Sequence, residues 1–433
     1  MTTTIIGVNE DASLTPEAAA ALASATLVVG GKRHLALAAP LITGQTLAWP
    51  TPMHHAIPQI LAHQGPVAIL ATGDPLWFGA ATLLLQHLPN TTRIIPAPSS
   101  FQLAAAHLGW TLQHTTCLSC CGRPIEAIIP HLQPGAQLLI LSSGPETPQQ
   151  IESLLTSRKL DHTLLILENL STPQQRVRKP SPLGRGLGGA VQGSADPFGP
   201  WNDGGGEGMA TNAPPTKEDP IAPLNLIALT IQGPTAQTLP LTPGRPDPLF
   251  ENDGQLTKSE IRAITLAALA PRQGERLWDI GTGSGAIAIE WMLAHPMNQA
   301  IAIERHPARA ARARRNALAL GTPALQIIEG EAPEALQNLP PPNAIFLGGS
   351  AHRPGLPGLP SLPSLIDTAK AALKPGGRLV ANAIALETEA ALIAAQSRYG
   401  GTLTRIAIER LDHVGTMQAY RPAMTVTQWC LTL

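Results

Sequence analysis

The amino-acid sequence predicts an α/β protein made of two domains, and three observations support this prediction. Short apolar runs of strand length alternate with amphipathic segments of helix length along most of the chain, which is the pattern of an α/β fold. One apolar run leads into a glycine-rich turn, residues 281–285, that opens a helical pattern. The chain also has 433 residues, which is more than one hydrophobic core usually serves.

The first half of the chain contains the first alternation of strands and helices. Its apolar runs predict strands at residues 4–8, 67–71, 93–96, 137–141 and 164–167. Its amphipathic segments predict helices at residues 15–25, 80–88, 100–108 and 148–157.

A segment poor in apolar residues interrupts this first domain. Residues 179–223 are dense in Gly, Pro, Ser and Asp, and such a composition buries too little apolar surface to offset the entropy of ordering. Residues 224–229 then form an apolar run with the length of a buried strand. We therefore expect a disordered insertion inside a first domain that spans residues 1–240.

Proline and glycine punctuation between residues 241 and 253 marks the start of the second domain, residues 241–433. Its strands are predicted at residues 275–280, 299–303, 326–329, 344–347 and 378–381. Residues 401–408 and 424–433 predict two further strands joined by a long turn, which would close the sheet as an antiparallel terminal hairpin.

The charge and apolar patterns argue against several kinds of partner. The chain has 29 Lys and Arg against 30 Asp and Glu, a net charge of -1, so bulk attraction to nucleic acid or to an anionic membrane is not expected. No apolar run approaches the roughly 18 residues that would span a bilayer. The amino-terminal residues lack the features of a secretion signal, and we expect a cytoplasmic protein.

Three cysteines lie close together in the first domain, at Cys117, Cys120 and Cys121. No second cysteine pair and no pair of histidines at zinc-ligand spacing stands nearby to complete a tetrahedral site. The sequence therefore predicts no metal site.

The strongest indication of a ligand is the turn that follows the strand-like run Leu277-Trp278-Asp279-Ile280. Glycines let the backbone approach a ligand closely, and the amino end of the next helix offers free N–H groups. Gly281, Gly283 and Ala286 also satisfy the fingerprint of a dinucleotide site. An NAD-type oxidoreductase is therefore an open alternative at this point.

Two acidic residues and the chain end favour S-adenosylmethionine over a dinucleotide. Asp279 would face the pyrophosphate of a dinucleotide, whereas it can pair with the cationic amino end of S-adenosylmethionine. Glu304 ends the next predicted strand, at about the distance where an acid accepts hydrogen bonds from ribose hydroxyls of either cofactor. An antiparallel hairpin closing a parallel sheet is typical of class I methyltransferases, so a Rossmann-like fold of this class is predicted for the second domain.

Six segments of the second half, taken in order, resemble the decarboxylating methyltransferase domain of the cobalamin pathway. They are residues 253–262, 279–285, 330–336, 348–350, 374–378 and 382–388. The resemblance implies methylation of a corrin precursor at C15 and loss of carbon dioxide from its C12 acetate. It also implies that S-adenosylmethionine is contacted by Thr257, Gly281, Thr282, Gly283, Ser284, Gly285, Glu304 and Ala332.

The first half resembles the tetrapyrrole methylase family, in the branch that methylates C5 of the corrin precursor. The resemblance lies in residues 28–35, 72–79, 96–104, 122–124 and 167–170. It implies two α/β lobes with S-adenosylmethionine folded between them. The implied cofactor residues are Gly73, Asp74, Pro75, Pro98, Ser99 and Ser100.

Together the resemblances imply a homo-oligomeric enzyme with two S-adenosylmethionine sites and one tetrapyrrole substrate, which it converts to precorrin-8. Gly348 and Gly349 would let a flat ring lie against the backbone, and Arg123 is a candidate partner for its carboxylates. The cofactor carries the reactive methyl group, so neither a catalytic triad nor a metal is required. A cobalt-containing ring of the anaerobic pathway and a non-catalytic tetrapyrrole-binding scaffold remain alternatives.

Overall fold

The computed structural model describes residues 2–180, 220–233, 238–348 and 362–433. The chain forms two compact units: one contains Met1–Arg123 and Pro134–Thr235, and the other contains Pro124–Gln133 and Ala236–Leu433. Most of the predicted insertion lies outside the described residues, and so does Gly349.

The first unit begins with a parallel sheet whose strand order is β3-β2-β4-β1-β5. Its strands are β1 (Thr3–Val8), β2 (Leu27–Gly30), β3 (Gln45–Ala48), β4 (Val67–Thr72) and β5 (Arg93–Ile95). Its helices are α1 (Pro16–Ala23), α2 (Lys32–Ala38), α3 (Ile57–Ala62) and α4 (Ala81–Leu84). Neighbouring strand residues such as Ile5 and Ile6 enter different hydrophobic clusters, one on each face, because side chains alternate along a strand.

The second sheet of the first unit is mixed and has the order β6-β7-β10-β8-β9. Its strands are β6 (Thr115–Ser119), β7 (Gln137–Leu141), β8 (His162–Glu168), β9 (Arg176–Arg178) and β10 (Asn225–Ile231). The helices of this part are α5 (Ser100–Leu108) and α6 (Thr147–Ser157). The strand predicted after the insertion is confirmed as β10, which lies in the middle of the sheet between β7 and β8.

A buried carboxylate fixes the edge of this second sheet. Glu168, at the end of β8, is fully buried. It accepts hydrogen bonds from the guanidinium groups of Arg176 and Arg178 and from the backbone N–H of Ala222. One side chain therefore holds residues before and near the end of the predicted insertion.

The second unit contains a seven-stranded sheet of order β13-β12-β11-β14-β15-β19-β16. Its strands are β11 (Arg276–Ile280), β12 (Gln299–Glu304), β13 (Gln326–Glu329), β14 (Ala344–Leu347), β15 (Arg378–Ala383), β16 (Thr402–Ile406) and β19 (Val426–Thr432). Strands β17 (Glu409–Val414) and β18 (Met417–Pro422) form a separate ribbon. The helices are α7 (Ser259–Leu269), α8 (Ala286–Leu293), α9 (Pro307–Ala319), α10 (Leu362–Ala372) and α11 (Leu386–Tyr399).

The first five strands of this order pair in parallel, and β19 pairs antiparallel with β15 and β16. The α/β prediction and the antiparallel closing strands are thus confirmed. The predicted long turn is wrong, because β17 and β18 pair with each other between the closing strands. Their side chains are exposed on both faces, so no alternation of buried and exposed residues marked them in the sequence.

The largest difference between a predicted and an observed helix is in the first unit. The helix expected at residues 80–88 is confined to the four residues of α4. Among the residues that the structure describes, the longest helix is α11, with 14 residues. Within the described ranges, no helix has the length and apolar character that crossing a bilayer requires.

Candidate active sites

The glycine-rich turn of the second unit lies at the carboxyl end of the central strand β11. Gly281, Gly283 and Gly285 have φ angles of 75°, 60° and 82°, a region that glycine enters without steric cost. The N–H groups of Gly281 and Thr282 donate to the Ile303 carbonyl at 2.9 and 3.1 Å. The turn is therefore attached to β12 and leads directly into the amino end of α8.

Asp279 is buried beneath this turn. Its Oδ2 accepts hydrogen bonds from Thr282 Oγ1 at 2.6 Å and from the Ala288 N–H at 3.1 Å, so one carboxylate joins strand, turn and helix. Its Oδ1 is buried without a hydrogen-bond partner among the described residues. Burial, and to a lesser extent the charge of Glu304, raises the pKa of Asp279 to about 6.

Glu304 ends β12 and supports the same turn from the other side. Its Oε2 accepts a hydrogen bond from the Gly283 N–H at 2.9 Å, and its Oε1 accepts one from the His306 N–H at 3.0 Å. A carboxylate can accept about four hydrogen bonds. Both oxygens therefore keep capacity for the hydroxyl groups of a ribose.

Gly348 follows β14 at the same edge of the sheet. Its N–H donates to the Ile280 carbonyl at 3.0 Å. A Cβ added at this position would lie 2.9 Å from the Gly281 carbonyl oxygen, which is closer than carbon and oxygen tolerate. The position therefore needs glycine, because the backbone of the turn packs directly against it.

The remaining predicted residues of this site lie around the turn. Ser284 is buried, and its carbonyl accepts a hydrogen bond from Asn316 Nδ2 at 2.8 Å. Ala332 is 9% exposed and packs in the core cluster at this edge of the sheet. Thr257 is half-buried before α7, and the nearby Gln255 carbonyl lies 3.8 Å from the place of a Gly283 Cβ.

A cluster of ion pairs that was not predicted from the sequence holds the segment before α7. Arg309 Nε and Arg312 Nη1 on α9 lie 2.9 and 3.0 Å from Asp253 Oδ2. Loss of hydration raises the pKa of Asp253. The hydrogen bonds from Arg312 and Arg309 outweigh this effect and lower the pKa to about 2. The spacing of these arginines on one helix face was visible in the sequence, whereas their partner is 56 residues away from Arg309.

The first unit contains a cleft of about 430 Å³ lined by residues of both its sheets. Five of the six residues implied by the tetrapyrrole methylase resemblance line it, namely Gly73, Asp74, Pro98, Ser99 and Ser100. Pro75 is buried in the loop behind them.

Backbone contacts bring the two predicted loops of this cleft together. Gly73 has a φ of 54°, and its carbonyl accepts a hydrogen bond from the Ala97 N–H at 3.2 Å. A Cβ at Gly73 would lie 3.0 Å from the Pro98 carbonyl oxygen. Ser99 caps α5, where its Oγ accepts from the Gln102 N–H at 3.3 Å.

A polar cluster lies at another side of the cleft. Arg33 pairs with Glu10 and donates to Thr72 Oγ1 at 3.2 Å, while His34 Nε2 lies 2.8 Å from the same hydroxyl. Burial, and then the charge of Arg33, lowers the pKa of His34 to about 4. His34 is therefore neutral at pH 7. Arg123 is exposed and lies over the ring of Phe78, a cleft residue, at 5.1 Å.

A glycine turn over a buried acid, at the carboxyl edge of a parallel sheet closed by antiparallel strands, defines a class I S-adenosylmethionine-dependent methyltransferase. The second unit has this architecture. The buried Asp279 Oδ1, which has no hydrogen-bond partner among the described residues, is the feature expected where a cationic cofactor approaches the turn.

Comparisons with known proteins identify the family. Residues 6–184 match the model of the tetrapyrrole (corrin/porphyrin) methylases, and residues 248–433 match the model of the precorrin methyltransferase domain. A Sinorhizobium sp. protein named precorrin-6Y C(5,15)-methyltransferase [decarboxylating] is 44% identical over 99% of this chain and 96% of its own length. The chain belongs to this family, and both resemblances stated from the sequence are confirmed.

Two further relatives cover only part of the chain. A Salmonella typhimurium protein named cobalt-precorrin-6B C(15)-methyltransferase (decarboxylating) is 31% identical over 39% of this chain and 83% of its own. The crystal structure of the C-terminal domain of precorrin-6Y C5,15-methyltransferase from Rhodobacter capsulatus is 40% identical, covers 45% of this chain and 100% of that one, and has a TM-score of 0.41.

Proposed function

We propose that this chain methylates a precorrin at C5 and C15 and removes carbon dioxide from the C12 acetate, giving precorrin-8 in cobalamin biosynthesis. One observation carries the proposal: a relative named for the C5 and C15 methylations and the decarboxylation is 44% identical over 99% of the chain. The cleft of the first unit and the glycine turn of the second unit support the proposal of one methyl-donor site in each unit.

We assign the C5 methylation to residues 1–240 and the C15 methylation with decarboxylation to residues 241–433. The tetrapyrrole methylase match lies in the first of these ranges and the precorrin methyltransferase match in the second. A relative that corresponds to 39% of this chain is named for the C15 step and the decarboxylation alone. The two activities can therefore belong to separate parts of the chain.

Each unit would hold one S-adenosylmethionine, which supplies an electrophilic methyl group when bound. In the second unit, Asp279 would face the cationic amino group, Glu304 would accept the ribose hydroxyls, and the backbone of residues 281–285 would lie against the cofactor. In the first unit, the Gly73-Asp74 loop and the turn from Pro98 to Ser100 would line the cofactor.

The protein contributes alignment and exclusion of water, since the displacement at a sulfonium methyl needs no further chemical group. Alignment of this kind can supply on the order of 7 to 11 kcal/mol. Gly348 would let the macrocycle lie against backbone beside the second cofactor. The electrons released by decarboxylation would enter the conjugated macrocycle itself.

Mass spectrometry of the reaction product tests the proposed function. The product that the purified protein forms from precorrin-6Y and S-adenosylmethionine should have gained the mass of two CH₂ increments and lost that of one CO₂. The same reaction with the cobalt-containing ring decides between the two ring forms. An unchanged mass with both rings, while the methyl donor binds, would instead support a non-catalytic scaffold.

Asp279 predicts a pH dependence of cofactor binding in the second unit. Its pKa is about 6 because it is buried, and a cationic ligand favours the ionised form. Protonation therefore competes with binding, and affinity should rise as pH rises through 6. Between about pH 5 and about pH 7 we expect the dissociation constant to fall about tenfold. Isothermal titration calorimetry measures this change.

The Asp279→Asn variant is the control for this titration, because an amide cannot ionise in this range. Its affinity should be low and nearly constant with pH. A wild-type dissociation constant that is constant or rises over the same range would contradict the pairing of Asp279 with the cofactor cation.

The β17–β18 ribbon supports the proposal of a homo-oligomer. Leu411, Met417 and Tyr420 on this ribbon are 57%, 71% and 70% exposed. An isolated two-stranded ribbon is marginally stable in water, and exposed apolar side chains beside unpaired strand edges favour association. Pairing with the same ribbon of a second copy would satisfy both features, since symmetric interfaces use one surface twice.

Sedimentation velocity should show that the Met417→Asp, Tyr420→Asp double variant has a lower mass than the wild type. Leu83→Asp is the matched control, because Leu83 is 59% exposed outside the ribbon. A monomeric wild type, or an unchanged mass in the double variant, would exclude the ribbon as the interface.

We also propose a cytoplasmic location without a nucleic-acid or membrane partner. None of the four cysteines, Cys117, Cys120, Cys121 and Cys430, forms a disulfide. Cysteines outside disulfides are typical of a reducing compartment such as the cytoplasm.

A further inference from the structure

The loop between β4 and α4 is held tightly in the cleft of the first unit. The Leu76 N–H donates to Asp74 Oδ1 at 2.9 Å, and the Trp77 N–H donates to the Asp74 carbonyl at 3.2 Å. A Cβ at Gly79 would lie 2.4 Å from the Pro75 carbonyl oxygen. These hydrogen bonds and the close contact at Gly79 therefore fix the backbone conformation at Phe78.

That conformation is unfavourable for Phe78. Its φ is 54°, in the left-handed region that bulky side chains rarely adopt, and glycine would occupy it without strain. Its side chain is 42% exposed, so burial gives only part of the stabilisation that a phenyl ring can supply. Strained residues of this kind concentrate at ligand sites.

The ring of Phe78 lines the cleft and has two neighbouring groups. It is 5.8 Å from the ring of Phe101, which is 1% exposed and supports it from the core. The Arg123 guanidinium lies 5.1 Å from the centroid of Phe78. In the described part of the chain, no carboxylate pairs with Arg123.

We infer that Phe78 and Arg123 bind the tetrapyrrole for the first methylation: the phenyl face stacks on the conjugated ring and the guanidinium holds a peripheral carboxylate. This inference rests on the proposed function. A planar ring could also be the adenine of the methyl donor. The cation beside Phe78 disfavours that ligand, which carries a sulfonium and an ammonium group, and favours a macrocycle with many carboxylates.

The Phe78→Gly variant tests the stacking contact. Glycine accepts the φ of 54°, so the variant should keep the wild-type melting temperature or exceed it. We expect the KM for the tetrapyrrole in C5 methylation to rise about tenfold, the effect of losing one aromatic stacking contact. The KM for S-adenosylmethionine and the rate of C15 methylation should not change.

Leu76→Ala is the matched control, because Leu76 is 50% exposed on the same loop but does not line the cleft. An isotope-labelled methyl donor and NMR distinguish methyl groups at C5 from those at C15. An unchanged tetrapyrrole KM in Phe78→Gly, or a rise in the KM for S-adenosylmethionine instead, would overturn the inference.

The Arg123→Gln variant tests the guanidinium separately. It should raise the tetrapyrrole KM of the C5 step by a similar factor, and Arg123→Lys should recover part of the loss because the charge returns without the planar fork. Arg93→Gln, which removes a cation of the same unit at β5, should have no effect. If the wild type forms no methylated product at all, the proposed function fails, whereas an active wild type with unaffected variants refutes only this inference.

Discussion

Replacing Asp279 with alanine is expected to lower C15 methylation and decarboxylation at least about 100-fold while C5 methylation continues. The carboxylate accepts hydrogen bonds from Thr282 and from the N–H of Ala288. Alanine leaves both donors without an acceptor and removes the charge under the turn. A displacement of about 1 Å in a reacting group can cost a factor of about 100. Mass spectrometry should then show one added methyl group and no loss of carbon dioxide.

The reciprocal variant is Asp74→Ala in the first unit. Asp74 lies on a loop that lines the cleft, and its carboxylate accepts a hydrogen bond from the Leu76 N–H. The alanine variant loses this hydrogen bond, so C5 methylation should fall while C15 methylation continues. Asp279→Asn, which keeps an oxygen acceptor for the turn, should retain more C15 activity than Asp279→Ala. Equal loss of all three reactions in either alanine variant would contradict separate sites.

The largest loss of stability is expected from Glu290→Gln in the second unit. The Glu290 side chain is fully buried, as is that of Arg262. Arg262 Nε donates to Glu290 Oε1 at 2.8 Å, and the N–H groups of Gly244 and Arg245 donate to the same carboxylate at 2.7 and 3.0 Å. Glutamine would remove the anion that pairs with the buried Arg245 guanidinium and would leave Arg262 paired only with Asp247, which is 25% exposed.

Breaking a buried ion pair on one side costs about 3 to 5 kcal/mol, and the free energy of unfolding of the second unit should fall by this amount. Denaturation followed by tryptophan fluorescence detects unfolding of this unit, because Trp291 and Trp429 are fully buried in it. Trp49, Trp77 and Trp110 lie in the first unit, so the transition that the substitution shifts is the one assigned to the second unit. Glu329→Gln is the matched control: its pair with Arg314 is 42% and 46% exposed and should contribute less than about 1 kcal/mol. Similar losses in both variants would show that burial of the pair is not the cause.

The parts of the fold that the sequence predicted are those with strong local patterns. The run at β14 and the helix at α5 have the predicted bounds, because continuous apolar burial and a capping box act over a few residues. Strand β9 has only half-buried residues, and its place depends on pairing with β8. Such an element carries little information in its own sequence.

The same distinction applies to the candidate sites. The turn at residues 281–285 and the acids around it were predicted, because glycine spacing and strand ends are local features. Arg309 and Asp253 are far apart in sequence, and their pairing follows from the packing of α9. The strained φ of Phe78 likewise comes from contacts of the surrounding loop, which no pattern in the sequence expresses.

The hydrogen bonds to Glu168 have a consequence for engineering and for evolution. Arg176 and Ala222 both donate hydrogen bonds to the same carboxylate. The contacts that hold this edge of the sheet therefore do not depend on how many residues lie between positions 178 and 222. Doubling a loop adds only about 0.6 kcal/mol of closure entropy. This position should therefore accept an affinity tag or a fluorescent protein, and length changes between orthologues should accumulate there.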